Sequence, residues 1–382
     1  MSNSKIWLSS PHMGGGEQKY IQEAFDTNWV APVGTNVTAF EKDLESYLGS
    51  NSFVGVLSSG TAALHLGLIL LGVKKGDEVI CQSMTFSASA NPIVYLDATP
   101  VFVDSEIDTW NICPNALETA IKDRIKKGKR PKAIIAVHLY GMPYKVNEIR
   151  EIATKYEIPI LEDSAEALGS KYKGQKCGTF GDISILSFNG NKVITTSVGG
   201  AIVTKSLVAK DRALFLGTQA RENTIHYEHR EIGYNYRMSN VCAGIGRGQI
   251  EVLDSHIEKR REMNKFYVSI FKKNPLIEVL TEPNGDYFSN HWLSVIKANS
   301  SLDYRLLESL QYELDLKNIE SRPLWKPMHL QPVFKGASYY GGNICEQLFR
   351  NGLCLPSGSN LTDADRDRIK NVIATFFEYK IG

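Results

Sequence analysis

The stretch from Ser184 to Gly200, SILSFNGNKVITTSVGG, decides how the chain is read. An apolar run, Ile183 to Phe188, has the length and composition of a buried strand. It ends in small polar residues and then presents Lys192, flanked by Asn189, Asn191, Thr195 and Thr196. This places a lysine on a turn at the end of a strand. A nucleophilic amine must be held near a carbonyl in this way, with its charged form disfavoured or converted to an imine. Taken alone, a loop lysine is more often a solvated surface charge. The reading of Lys192 therefore depends on what the other strand ends carry.

Working outward, short apolar runs occur at Phe53 to Leu57, Glu78 to Cys81, Pro100 to Val103, Ala133 to Val137, Pro159 to Leu161, Ile183 to Phe188 and Gly200 to Thr204. Helical patterns separate several of them: Thr61 to Leu71, Ser87 to Leu96, Pro114 to Lys126 and Lys145 to Tyr156. Two more helices, Glu17 to Phe25 and Val37 to Tyr47, precede the first strand. Alternation of this kind predicts an α/β domain with a mostly parallel sheet of about seven strands, covered by helices on both faces.

From Asp211 the character changes, through the polar TQARENTIHYEHREIGYNYRMSN to a long helical run, Ala243 to Lys272. An expected strand at Trp292 to Ile296 follows, with helices at Leu302 to Tyr312 and Asp363 to Phe377. The expected division is a large domain over 1–251 and a smaller C-terminal α+β domain over 252–382.

Ligands of an open parallel sheet sit beyond the carboxyl ends of its strands. After the first strand, Ser58, Ser59, Gly60 and Thr61 open a helix, which suits a phosphate, although Ser58 or Ser59 could equally be an ordinary helix cap. After the second comes SMTFSAS, where Phe86 could stack on a planar ring or serve the core. After the fifth, Ile160 and Leu161 run into Glu162 and Asp163. A carboxylate there needs a fixed partner: a structural arginine, a backbone cap or a protonated pyridinium nitrogen. A phosphate cradle, a stacking aromatic, a carboxylate and a lysine on successive strand ends match the four chemical features of pyridoxal phosphate (PLP).

The segments SSGTAAL, MTFSASANPI, HLYG, LEDSAEALGS, GTFGDISILSFNGNKVITT, GYNYRMSN and SRPLWKPMH with LCLPSG resemble the fold-type-I, PLP-dependent sugar aminotransferases of the DegT/StrS type. The likeness runs over nearly the whole chain. It implies that Lys192 is the lysine that holds the cofactor covalently, that Asp163 pairs with the ring nitrogen and that Phe86 stacks on the ring. It further implies that Gly60, Thr61, Ala62 and Ser187 hold the phosphate, with Asn189 beside them. Glu166 stands where many relatives carry a glutamine against the ring or its hydroxyl. Asn235 looks like the residue that reaches the phosphate from a neighbouring subunit, so the implied unit is a homodimer. One departure is TTSVGG after the lysine, where many members have a run of glycines.

The segments PHMGGGEQKYI, QARENTIHYEH, GYNYRMSN and RPLWKPMHLQPVFKGA look similar to the transaminases of UDP-4-keto-6-deoxy-N-acetylglucosamine on the way to bacillosamine-type sugars. GDP-perosamine synthases are the alternative. The implied reaction moves the amino group of L-glutamate to the C4 ketone of a nucleotide-linked sugar. Arg221 and Arg237 are candidates for the glutamate carboxylates or the nucleotide diphosphate, since arginine suits planar anions. Trp325 and His329 are candidates for the sugar or nucleotide.

Two rival chemistries fit parts of the sequence. PLP-dependent sugar dehydratases on this scaffold carry a histidine in place of the lysine, and Lys192 argues against that. A metallohydrolase built on His226, Glu228 and His229 lacks HExxH spacing, and no metal is expected.

The bulk numbers suit such an enzyme. The 382 residues carry 43% hydrophobic and 22% charged side chains, with a formal net charge of +1. Near-neutral balance gives no electrostatic reason to expect nucleic acid or anionic membrane as a partner. Six scattered cysteines without a CxxC pair fit reduced thiols. The N-terminal MSNSKIWLSSPHMGGG has no signal-peptide pattern, so a cytoplasmic location is expected.

Overall fold

The computed structural model describes residues 4–49, 51–299 and 305–381. The first two helices, α1 (Glu17–Asp26) and α2 (Thr35–Leu48), precede strand β1 (Phe53–Leu57) and helix α3 (Gly60–Leu70). Then come β2 (Glu78–Gln82), α4 (Asn91–Tyr95), β3 (Thr99–Val103), α5 (Pro114–Lys126), β4 (Ala133–Val137), α6 (Val146–Lys155) and β5 (Ile160–Asp163). The sheet is continued by β6 (Ile183–Ser187) and β7 (Gly200–Thr204), followed by α7 (Leu207–Gly217), α8 (Asn240–Ile250) and α9 (Leu253–Phe271). The C-terminal part contributes β8 (Ile277–Val279), β9 (Ser294–Ala298), α10 (Leu306–Leu316), β10 (Arg322–Pro323), β11 (Ser338–Tyr340), α11 (Ile344–Asn351), β12 (Gly352–Leu355) and α12 (Asp363–Ile381).

The seven expected strands form one sheet in the order β1, β7, β6, β5, β4, β2, β3, to which β11 adds an eighth at the β3 edge. Only β7 runs antiparallel to its neighbours. These strands are buried on both faces, which is why they read as continuous apolar runs rather than alternating ones. One face packs Leu57, Leu161, Ile185 and Ile202 with Ala63, Leu64 and Leu66 of α3. The other packs Ile80, Val101, Ile134 and Ile160 with Leu117 and Ile121 of α5 and Ile149 of α6. Each fully buried aliphatic side chain contributes roughly 2 kcal/mol of transfer free energy.

A second sheet, ordered β8, β9, β12, β10, is antiparallel throughout and drawn wholly from residues after 252. Its core joins Ile296, Leu353 and Leu355 to Met263, Tyr267, Leu310, Leu314, Ile369 and Ile373. The chain crosses the expected division at 252 in both directions. Ile6 pairs with Ile319 and lies in the C-terminal core, while β11 returns to the large sheet.

Three differences from the sequence expectation have physical causes. The expected Ala243–Lys272 helix is two helices, because Val252 leaves helical geometry (φ −112°, ψ 5°). Within α8, Gly248 lets α1 approach so closely that a Cβ there would stand 2.7 Å from Glu17 Cα. The strand expected at Trp292–Ile296 begins at Ser294, which leaves Trp292 in the preceding turn. The helix expected at 302–312 is seen at Leu306–Leu316, and residues 302–304 lie outside the described ones.

No helix among the described residues is long and apolar enough to cross a membrane. The six cysteines are free thiols.

Candidate active site

At the carboxyl ends of β1, β5 and β6 lies a cavity of about 320 Å³. Gly60, Thr61, Phe86, Asp163, Glu166, Ser187, Asn189, Lys192 and Trp325 all line it. A larger groove of about 1000 Å³ lies between α10 and α12, but its wall mixes Glu308, Glu313, Lys317 and Arg368 without convergent chemistry.

The floor of the cavity follows from strand geometry. Successive residues of a strand point to opposite faces, so Glu162 and Asp163 have separate environments. Asp163 is buried and accepts hydrogen bonds from Ser89 Oγ at 2.7 Å and the Ala165 amide at 3.1 Å. Burial pushes its carboxyl above the usual range, against those two bonds and the charge of Lys192. Glu162 points the other way and builds structure. Its carboxylate accepts from His138 Nε2 (2.7 Å), Ser164 Oγ (2.9 Å), Ser184 Oγ (2.7 Å) and the amides of Gly178, Phe180 and Gly181.

One wall is the start of α3. Ser59 caps the helix by accepting the Ala62 amide at 3.0 Å. The amides of Gly60 and Thr61 belong to the first turn, where helix donors have no intrahelical acceptor, and both residues face the cavity. Gly200, the first residue of β7, crosses this helix start closely enough that a Cβ would collide with the Gly60 amide. Ser187, the last residue of β6, lies against Gly60, at 3.1 Å from where a Cβ on Gly60 would stand.

Lys192 sits on the turn after β6. Its Nζ lies 3.5 Å from Glu166 Oε1 and 3.9 Å from the centroid of the Trp292 ring. The turn is tied from three directions: Trp292 Nε1 and Ser9 Oγ donate to the Asn191 carbonyl, and Arg260 Nη2 lies 3.4 Å from the Lys192 carbonyl. Aromatic rings complete the opposite wall. Trp325 lies 6.2 Å from Phe86, 5.6 Å from Tyr140 and 6.4 Å from Trp292, centroid to centroid. Phe86 stands at the mouth and is 58% exposed. Val198, in the TTSVGG departure, is another lining residue.

Five expected contacts are not on this wall. Ala62 spends its amide on Ser59. Arg237 donates to Glu41 Oε1 at 2.8 Å and to the Val56 carbonyl at 2.9 Å, so its guanidinium secures α2 to β1. His329 is stacked on Tyr339 (3.8 Å) with its nitrogens against Ser83 Oγ and Glu346. These are structural uses of a cation and a ring. Arg221 and Asn235 are exposed on the 218–237 segment, Arg221 over the Tyr227 ring and Asn235 bridged to Thr218. Conversely, Ser89 and Trp292 were not anticipated. The serines of SMTFSAS were a usable signal for the first, while Trp292 is brought in from the distant C-terminal part.

The metal alternative fails on geometry. His226 and Glu228 meet at 3.1 Å on the surface, but Glu228 is shared with Arg230 and His229 turns to the Gln219 carbonyl. Among the described residues, His138, Glu162 and Cys177 are the one group close enough to share an ion. Both Glu162 oxygens there are already filled by protein donors.

The donor set fits PLP. Unpaired amides at a helix start suit a phosphate, Asp163 is a buried carboxylate lacking an ion-pair cation within the described residues, and the lysine lies at the same cavity. Sheet, helix start, carboxylate and lysine together define a fold-type-I PLP-dependent transferase. The family model of the DegT/DnrJ/EryC1/StrS aminotransferases matches residues 11–374. Over 380 residues the chain is 48% identical to "Putative pyridoxal phosphate-dependent aminotransferase EpsN" of Bacillus subtilis, covering 98% of this chain and 96% of that protein. It is 38% identical over 377 residues to GDP-perosamine synthase of Escherichia coli O157:H7, covering 98% and 99%. The crystal structure of a DegT DnrJ EryC1 StrS aminotransferase from Brucella abortus superposes with a TM-score of 0.87 at 30% identity, over 94% of this chain and 95% of that one. The chain belongs to the DegT/DnrJ/EryC1/StrS aminotransferase family. It is a PLP-dependent aminotransferase, and the dehydratase and metallohydrolase alternatives fall away.

Proposed function

We propose that the enzyme moves the amino group of L-glutamate to the C4 ketone of a nucleotide-linked 4-keto-6-deoxy sugar in the cytoplasm, with UDP-4-keto-6-deoxy-N-acetylglucosamine as the first candidate. The observation that carries the reading is Lys192 beside Asp163 in a single cavity whose aromatic wall, Trp325, Trp292 and Phe86, offers flat faces to a sugar ring. The second candidate acceptor is a GDP-linked keto sugar, favoured by the similarity to GDP-perosamine synthase.

Bound PLP would supply an electrophilic carbon and a ring that takes up negative charge. Lys192 would hold the cofactor through Nζ and, as a free amine, would be the base and acid for the proton at the amino-acid α-carbon. Asp163 would face the ring nitrogen and favour its protonated form. The Gly60 and Thr61 amides with the Thr61 and Ser187 hydroxyls would hold the phosphate, with Asn189 at that end, and Phe86 would lie against the ring. Arg221, exposed and without a carboxylate partner among the described residues, is the candidate for an anionic group of the substrate.

The proposed unit is a homodimer. Ile225, Tyr227 and Ile232 are almost wholly exposed on the segment that carries Asn235, an arrangement that a neighbouring subunit would cover. Asn235 would then reach the partner's phosphate site.

The experiment is a visible spectrum of the PLP-loaded protein before and after L-glutamate, followed by UDP-, GDP- and dTDP-linked 4-keto sugars. The yellow absorbance should bleach with glutamate and return with one nucleotide series only. Bleaching without recovery by any keto sugar would overturn the acceptor class; no response to glutamate would overturn the donor.

A further inference from the structure

Asn290 stands in the turn before β9, wholly buried and not among the residues that line the cavity. An asparagine side chain offers an acceptor oxygen and two N–H donors. Each of them is spent on backbone here. Oδ1 accepts the Trp292 amide at 2.8 Å, and Nδ2 donates to the carbonyls of Glu166 at 3.0 Å and Leu168 at 2.9 Å. The Asn290 amide donates to Ser170 Oγ at 2.9 Å, and that hydroxyl donates to the Gly141 carbonyl at 2.7 Å.

The two residues joined through this side chain are the two that flank the amine of Lys192. Trp292 brings its ring to 3.9 Å from Nζ, and Glu166 brings Oε1 to 3.5 Å. Asn290 and Glu166 are 124 positions apart in the chain, so no local geometry fixes the spacing between those two walls. The surroundings are shaped around the amide that does fix it. Gly141 has φ +92°, and a Cβ there would collide with Asn290 Oδ1. Tyr140, one residue earlier, donates its amide to Glu166 Oε2 at 2.6 Å, so the turn that makes room for Asn290 also holds the Glu166 carboxylate. His291, between Asn290 and Trp292, is held at φ +46°, and its ring turns away to Glu282, 3.3 Å from Nε2 to Oε1. A non-glycine residue keeps such a backbone only where the contacts around it over-determine the conformation, and the Oδ1 bond across His291 is one of those contacts.

We propose that Asn290 is a positioning residue for the cofactor lysine: its amide group locks the Trp292 turn to the Glu166 loop and so sets the slot in which the Lys192 amine lies. It acts through Trp292 and Glu166 and does not itself meet the reacting atoms. A buried polar group whose donors and acceptor are all satisfied is rigid, which is what a fixed slot requires. This inference rests on Lys192 being the cofactor lysine, as read above.

The test compares PLP uptake by the cofactor-free full chain in the wild type, in Asn290→Ala and in Leu310→Ala. Leu310 is buried in the C-terminal core and does not line the cavity, so its truncation loosens the fold without touching the slot. All three are measured by visible absorbance under conditions where circular dichroism shows them folded. Asn290→Ala should bind PLP about tenfold more weakly and more slowly than Leu310→Ala, the factor that corresponds to one hydrogen bond's worth of positioning. Equal affinity and equal uptake rate in the two variants would overturn the proposal and leave Asn290 a support of the fold alone. Should Asn290→Ala not fold, hydrogen exchange in the wild type decides. Coupling is reciprocal, so PLP loading must slow exchange of the Trp292 amide more than that of the Leu310 amide. Equal slowing at both amides would reject the clamp. Borohydride reduction of the PLP-loaded wild type, mapped by peptide, separates this from the underlying reading: PLP fixed to another lysine would reject the role of Lys192 whatever Asn290 does.

Discussion

Trp292 donates its indole N–H to the carbonyl of Asn191 at 2.7 Å and lays its ring 3.9 Å from the amine of the next residue, Lys192. One side chain from the C-terminal part of the chain thus fixes the turn and lines the path of the amine. Trp292→Phe keeps an aromatic face but loses the bond. The Asn191 carbonyl still has Ser9 Oγ at 2.8 Å, so the stability loss should be near 1 kcal/mol. Trp292→Ala empties a fully packed site and should cost about 3–5 kcal/mol. Denaturant unfolding measures both, and turnover should fall in the order wild type, Phe, Ala.

Asp163 should matter to turnover for a different reason. Its two protein hydrogen bonds come from Ser89 and Ala165, and Asn in its place could keep an acceptor oxygen for one of them while losing the charge. A hydrogen bond to a charged group contributes about 1.5–3 kcal/mol, so Asp163→Asn should lose roughly tenfold to a hundredfold in turnover with little change in fold. Circular dichroism with steady-state kinetics checks this. A variant with wild-type turnover would remove Asp163 from the reaction.

Glu162, one residue away, governs stability instead. Burial alone would raise its carboxyl, but the hydrogen bond and charge of His138 and the Gly178 and Gly181 amides prevail and hold it down to about 2. A folded value below the unfolded one of about 4.5 contributes stability that is fully present above the unfolded value and is lost as pH falls towards 2. The shift corresponds to about 3 kcal/mol. Glu162→Gln should lower the melting temperature at pH 7 and flatten its fall between pH 5 and pH 2. An unchanged acid limb would place the acid sensitivity elsewhere.

These cases show what was legible in the chain. The seven large-sheet strands could be read because doubly covered parallel strands are short apolar runs. The two-residue β10 and the three-residue β8 and β11 carry too few positions to show a period. Gly60, Thr61, Asp163, Ser187 and Lys192 were legible because open sheets gather their ligands at strand ends. Trp292 was not, since its place beside Lys192 arises from tertiary packing across a hundred positions of chain. Arg237 and His329 show the opposite problem. Their side-chain chemistry suits a substrate anion or a sugar, and only the packing of Glu41, Ser83 and Tyr339 around them reveals other employment.

Arg260 is the remaining support of the lysine turn, and it is an unusual one. It is fully buried and has no carboxylate partner among the described residues, and burial pushes its guanidinium down to about 10. Nη1 donates to the carbonyls of Trp292 (2.7 Å) and Ser357 (3.2 Å), and Nη2 to Ser9 Oγ (3.1 Å) and the Lys192 carbonyl (3.4 Å), while Nε has no partner. Arg260→Met removes the cost of burying a charge but strands several acceptors, each costing about 1–3 kcal/mol. The stranded oxygens outweigh the relief, so a net loss of roughly 3 kcal/mol is expected. Because two of the acceptors belong to Trp292 and Lys192, PLP affinity should fall along with stability. Arg260→Lys supplies one compact ammonium in place of a fork and should recover part of the stability but less of the affinity. Equilibrium unfolding and fluorescence titration with PLP separate the two quantities. A variant that is destabilised yet binds PLP as the wild type does would make Arg260 a support of the core alone.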